Sequence, residues 1–176
     1  MKRALAAVLF VLGMIVVPAA TASAASCDAR SSGQVSGGYV VTLWCSGAGF
    51  VDGYGSTLTD ANREALLLYQ IYVDYGIDCG GRGTSAATGG RVVTLWCSSG
   101  GFIDGYGSTL TDAQVEAREL VVLLGEKGQD CSGRGVGRVS GGYVVTLWCT
   151  RGGFIDGRGS TVTGAAQNAR FAASIA

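Results

Sequence analysis

Histidine is missing from all 176 residues, proline occurs once, and charged residues make up only 15% of the chain. Without histidine, Ser-His-Asp and Cys-His catalysis, Cys₂His₂ zinc and the histidine-based catalytic zinc centres are excluded. Lys+Arg and Asp+Glu balance at 13 each, so the basic excess of a nucleic-acid binder is lacking. The six cysteines contain no Cys-x-x-Cys pair, which argues against a redox motif or a thiolate metal centre. No Gly-x-x-x-x-Gly-Lys phosphate loop occurs either. The longest apolar run, residues 4–17, falls short of the ~20 residues that cross a bilayer. It follows Lys2 and Arg3 and leads through Pro18 to Ala22-Ser23-Ala24, so residues 1–24 are predicted to be a secretory signal peptide. Loss of Lys2 and Arg3 turns 13 basic residues into 11, against 13 acidic ones, and leaves no membrane span.

What is abundant is glycine, with 30 residues, and it recurs with its neighbours at a fixed offset. Gly37-Gly38-Tyr39-Val40-Val41-Thr42-Leu43-Trp44-Cys45 returns 52 residues later as Gly89-Gly90-Arg91-Val92-Val93-Thr94-Leu95-Trp96-Cys97. After another 52 it returns as Gly141-Gly142-Tyr143-Val144-Val145-Thr146-Leu147-Trp148-Cys149. The same offset relates Cys27, Cys79 and Cys131, Arg30, Arg82 and Arg134, and Asp52, Asp104 and Asp156. The mature chain is therefore read as three units, 27–78, 79–130 and a shortened 131–176.

Within a unit, residues 39–45 are β-branched and aromatic between glycine pairs and predict a strand, with residues 50–52 returning as a short second one. From Thr59 the period changes: Ala61, Ala65, Leu68 and Tyr72 form a helical stripe that Ala113, Ala117, Leu120 and Leu124 repeat. Thr59 and Thr111 are the predicted N-caps, with Thr111-Asp112-Ala113-Gln114 as a capping box, and Gly76 and Gly128 the predicted helix-ending glycines. The fold class is α+β: three tandem β-hairpin-plus-helix repeats, disulfide-stabilised and packed together with pseudo-threefold repetition. The apolar circumference of the first helix, with Leu66, Leu67, Leu68, Ile71 and Val73, points to packing between units.

A unit of this size buries too little apolar surface to offset its chain entropy comfortably, and an even cysteine count in an exported chain implies a disulfide framework. Two pairings respect the repetition. One closes each unit on itself as Cys27–Cys45, Cys79–Cys97 and Cys131–Cys149. The other links Cys45 to Cys79, Cys97 to Cys131 and Cys27 to Cys149 around a ring. The first gives every unit its own pair and is the expectation.

The candidate binding residues are Trp44, Asp52 and Tyr54 with their counterparts Trp96, Asp104 and Tyr106, and Trp148, Asp156 and Arg158. Strand alternation sets Val41, Leu43 and Cys45 on one face and Val40, Thr42 and Trp44 on the other. Core or inter-unit packing is the first reading of the indoles, and a sugar-stacking platform the second. Residues 52–57 read as a loop organised by Asp52, with Gly53 and Gly55 at positive φ, and an Arg30–Asp52 type of ion pair is a further expectation in each unit. The change from Tyr54 and Tyr106 to Arg158 marks that position as an exposed loop tip. One aspartate per loop offers too few oxygens for calcium, so no metal and no cofactor are expected.

Chemistry is also not expected. A nucleophilic Ser56 lacks a base, since Lys127 is the single lysine of the mature chain, and the paired carboxylates of glycoside hydrolysis are missing from the loop. Equal copies raise avidity, whereas active sites draw unlike residues together. The expectation is a secreted, extracellular, non-enzymatic protein that recognises a glycan or surface polymer through equivalent sites. A secreted inhibitor or toxin-like effector docking one protein partner is the alternative. A structural component of an extracellular layer is the third.

Overall fold

The computed structural model describes residues 26–176, and the predicted signal peptide lies outside them. The first repeat runs β1 (Cys27–Val35), β2 (Gly38–Cys45), β3 (Gly49–Gly55) and α1 (Leu58–Tyr75). The second runs β4 (Cys79–Ala87), β5 (Gly90–Cys97), β6 (Gly101–Gly107) and α2 (Leu110–Lys127). The third runs β7 (Cys131–Val139), β8 (Gly142–Cys149), β9 (Gly153–Gly159) and α3 (Val162–Ser174). Each repeat is a three-stranded antiparallel meander with its helix on one face, and the α+β class and threefold repetition stand as expected.

The opening strand of each copy was not visible in the sequence. β1, CDARSSGQV, has only one β-branched residue, and low strand propensity hides it. It is held from outside. Cys27 lies directly opposite Cys45 and is bonded to it, while at the other end the Ser36-Gly37 turn, with φ +91° at Gly37, returns the chain into β2. Cys79–Cys97 and Cys131–Cys149 repeat this pairing, so each unit closes on itself. Closing a loop of 18-residue separation contributes roughly 3 kcal/mol on the chain-entropy model. Three structural disulfides and no free cysteine fit an oxidising, extracellular environment.

Alternation holds in the middle strands. Val41, Leu43 and Cys45 are buried under α1, as are Val93, Leu95 and Cys97 under α2. The expected loop at residues 52–57 is corrected: Asp52 to Gly55 belong to β3, and neither Gly53 nor Gly55 has positive φ. These glycines are required by proximity. A Cβ at Gly53 would collide with the Ala61 carbonyl oxygen and Ala65 nitrogen, and one at Gly55 with the Ala61 nitrogen. Gly105 and Gly107 meet Ala113 and Ala117 in the same way, and Gly157 and Gly159 meet Ala165 and Ala169.

The helix caps lie two residues earlier than predicted. Thr57, Thr109 and Thr161 have extended backbones as the chain leaves the sheet, and their hydroxyls accept from the backbone N–H of Asp60, Asp112 and Gly164 at 3.1 Å. The capping box of α2 joins Thr109 to Asp112, not Thr111 to Gln114. Thr111 is engaged elsewhere: its Oγ1 accepts from the Ser56 N–H of the preceding repeat at 2.9 Å, and Thr163 does the same for Ser108. Gly76 and Gly128 end their helices in the left-handed region, as predicted.

The repeats share one core. Across each junction Arg118 Nε reaches Glu64 Oε2 at 2.9 Å, and Arg170 Nε reaches Glu116 Oε2 at 3.0 Å, with both carboxylates almost fully buried. In α1, Leu68, Tyr69 and Ile71 are buried, but Leu66 and Val73 stay exposed, so inter-unit packing covers only part of its apolar circumference.

Gly105→Ala is expected to cost about 3 kcal/mol, since its Cβ would meet backbone and not a flexible side chain. Chemical denaturation of the oxidised protein measures this. Glu116 makes a pH-dependent contribution. Burial pushes its carboxyl above the ordinary 4.5, and Arg170 only partly opposes the shift. Its contribution is fully present below that value and is lost as pH rises through the higher folded pKa. Relative to Glu116→Gln, the wild type is therefore expected to lose stability as pH rises above the ordinary 4.5. Paired thermal melts at a series of pH values from below 4.5 upward test the sign.

Candidate functional site

The face of each sheet turned away from its helix carries a repeated aromatic pair. Trp44 lies opposite Phe50, Trp96 opposite Phe102, and Trp148 opposite Phe154. Phe50, Phe102 and Phe154 are 61%, 62% and 73% exposed, and Trp44 and Trp96 are about 40% exposed, with Trp148 half-buried. The indoles are therefore not core residues: the helix covers the cysteine-bearing face, and alternation turns Trp44 to the other. Trp44 and Phe50 meet edge to face at 4.8 Å between ring centroids.

An arginine stands at the edge of this pair. In every copy the register of the first strand shifts around one residue, at Arg30, Arg82 and Arg134. Such a bulge re-aims its side chain. Arg82 lies over the Trp96 ring at 5.5 Å, and Arg134 over Trp148 at 5.6 Å. The expected Arg–Asp bridges do not form in any copy. Asp52, Asp104 and Asp156 instead each accept the hydroxyl of the threonine opposite, Thr42, Thr94 and Thr146, at 2.6 Å. The bulge places the arginine beside the Thr–Asp row, but each aspartate is taken by its cross-strand threonine.

Tyr54 and Tyr106 are not loop tips. A Cβ at Gly81 would strike the Tyr54 ring and one at Gly133 the Tyr106 ring, so each tyrosine is seated on the next repeat, with Tyr54 buried and Tyr106 half-buried. Burial, with the neighbouring Asp52 or Asp104 carboxylate, pushes both phenols up, and Arg134 pulls Tyr106 partly back. They remain neutral at ordinary pH. Arg158 holds the same position in the third repeat and is exposed, in keeping with the sequence reading for that copy alone.

The open faces thus gather Trp, Phe and Arg, while the tyrosines belong to the junctions. The sequence reading missed the phenylalanines because it took the segment after them for a loop; period-two alternation continued through Asp52 and Tyr54 would have placed Phe50 beside Trp44. Among the described residues no group of three or more Cys, Asp or Glu is placed to hold a metal, and no helix is long and apolar enough to cross a membrane. No protein-family model and no curated protein sequence matches the chain.

Trp44→Ala is expected to lower stability by no more than about 1 kcal/mol, as befits a surface residue. Its buried neighbour Leu43→Ala is expected to cost about 2–5 kcal/mol. Denaturant midpoints of the two variants check the contrast.

Proposed function

We propose that the mature chain is an exported, non-enzymatic binding protein that recognises an extracellular glycan or surface polymer through three equivalent aromatic platforms, Trp44–Phe50, Trp96–Phe102 and Trp148–Phe154. The observation that carries this reading is the threefold placement of a Trp–Phe pair on the open sheet faces, with the phenylalanines 61–73% exposed and contributing little to the core. A flat ring with an N–H at its edge matches the apolar face and hydroxyl rim of a pyranose. Three weak contacts to one chain then act together through high effective concentration.

Calorimetric titration of the oxidised protein with soluble β-linked oligosaccharides of increasing length tests the reading. Affinity is expected to rise steeply with length, and the Trp96→Ala/Phe102→Ala double variant to lose most of that gain while staying folded. Folded protein that binds neither these oligomers nor cell-surface polysaccharides would rule the reading out.

A second reading has its own observation. Leu58, Leu66 and Val73 are about half exposed on the first helix, whereas Leu110 and Val162, the counterparts of Leu58, are buried. Assembly through that surface into an extracellular layer would show as concentration-dependent oligomers in sedimentation.

A further inference from the structure

The junctions between repeats are built from paired positions, and the two members of each pair reappear, apart, at the two ends of the molecule. Arg91 lies against the turn glycine Gly37, its guanidinium carbon 2.6 Å from where a Cβ would stand, and its Nη1 donates to Ser36 Oγ at 2.8 Å. At Gly89 the same seat receives the ring of Tyr143. Beside the first seat, Leu110 comes within 3.0 Å of the Cβ position of Gly38 and is buried, as is its counterpart Val162. In the third repeat the seat is open. A Cβ at Gly141 would meet nothing within 4 Å, and two shallow clefts of about 270 and 260 Å³ adjoin there, sharing Gly141, Gly142 and Tyr143. The residues of matching position are in the first repeat: Tyr39 corresponds to Arg91 and Tyr143, and Leu58, about half exposed, to Leu110 and Val162.

The first repeat carries the reciprocal surface. Tyr54 and Tyr106 press on Gly81 and Gly133 of the repeat that follows, and the counterpart of those glycines, Ala29, lines an open cleft of about 380 Å³ with Ser32, Val41, Leu58 and Asn62. Between the two ends the partners change together. Where the tyrosine becomes Arg158, the glycine becomes Ala29; a Cβ would stand 2.3–2.4 Å from the interior rings, whereas an unbranched arginine has room to pass a methyl group. Where the buried glutamates Glu64 and Glu116 become Asn168, their partners Arg118 and Arg170 become Leu66, so an end-to-end junction leaves no buried charge unpaired there. Ser56 and Ser108 donate their N–H to Thr111 and Thr163, and Ser160 and Thr59 keep both partners at the ends. The aspartates that accept from those threonines give way to Gly164, which makes this junction weaker than the interior ones. A terminal repeat that faces only water needs a polar outer surface, yet the first repeat bares Leu58 and Leu66. The ends also differ in charge: residues 27–78 hold six acidic residues and two arginines, and residues 131–176 five arginines and one acid.

We infer that the protein associates head to tail with a second copy of itself, the Gly141–Gly142 end of one molecule receiving Tyr39 and Leu58 of the next, whose Ala29 cleft receives Arg158. This rests on the assembly reading above and deepens it by naming the partner and the second surface. The contact continues the junction that already stacks the repeats, so two unlike surfaces meet and the interface is heterologous. Opposite end charges steer this encounter and oppose the meeting of two acidic ends. Each added copy brings three more Trp–Phe pairs.

Sedimentation of the oxidised mature chain and of two variants, Leu58→Glu at the head and Arg158→Glu at the tail, tests the inference. Both side chains are exposed, so the variants are expected to melt with the wild type. The wild type is expected to form oligomers beyond the dimer as concentration rises, and to lose them as salt rises. Each variant alone is expected to self-associate about tenfold more weakly or worse. Their equimolar mixture is expected to recover a dimer that grows no further, since one intact head and one intact tail remain. If Arg158→Glu dimerises like the wild type while Leu58→Glu does not, the first helix meets its own copy: head-to-tail docking is then wrong and the assembly reading stands. A mixture that stays monomeric while the wild type associates also overturns the docking. A wild type that stays monomeric at high concentration and low salt overturns both.

Discussion

Everything in a repeat depends on how closely its helix can approach its third strand. Gly53 and Gly55 on β3 and Ala61 and Ala65 on α1 bring backbone against backbone, with no room for a single added carbon. That contact fixes the helix angle and height, and with it which side chains of β2 are covered. It also has a cost. Glycine and alanine contribute little apolar area, so a repeat's own core reduces to a few residues such as Val41, Leu43, Val51 and Leu68. A unit so tightly but thinly packed needs help from outside its core. The cross-strand disulfide supplies part of it by restricting the unfolded chain, and burial against the neighbouring repeat supplies the rest.

The junctions explain where the three copies differ. Tyr54 and Tyr106 face glycines, Gly81 and Gly133, in the next repeat, because any side chain there would collide with the ring. The first repeat receives no such tyrosine among the described residues, and its corresponding residue is Ala29. Likewise Arg118 and Arg170 reach back to buried glutamates, and the corresponding residue of the first repeat is Leu66. Differences between copies therefore follow inter-repeat contact. The residues that stay the same on the open face, Trp, Phe and the Thr–Asp pair, are not explained by that contact, which is why they are the better place to seek recognition.

What was legible in the sequence follows the same division. The 52-residue offset revealed the units, repetition reduced the disulfide pairings to two and giving every unit its own pair selected Cys27–Cys45 over Cys45–Cys79, and alternation placed Val41 and Trp44 on opposite faces. These are local or periodic signals. β1 was invisible because its strand state comes from a disulfide and a partner strand, not from its own residues. The caps were set two residues late because Thr57 and Thr59 are equal candidates by type, and only the path of the chain out of β3, with the neighbour's claim on Thr111, separates them. Tyr54 was misplaced for a related reason: glycines on both sides suggested a turn, whereas they reflect a helix lying against the strand.

Threefold repetition and charge asymmetry act at different ranges. Trp and Phe recur at the same register in the three copies, so on the proposed reading these short-range contacts alone would let a long polymer bind in either direction and slide by one platform. Charge breaks that degeneracy. The first repeat holds six acidic residues and two arginines and the third five arginines and one acid, so the two ends carry opposite charge, and that difference extends beyond contact to about the Debye length of 8–10 Å. On the proposed reading, the repeated rings supply contacts common to every repeat, and the unequal charge is the feature that distinguishes one end of the array from the other.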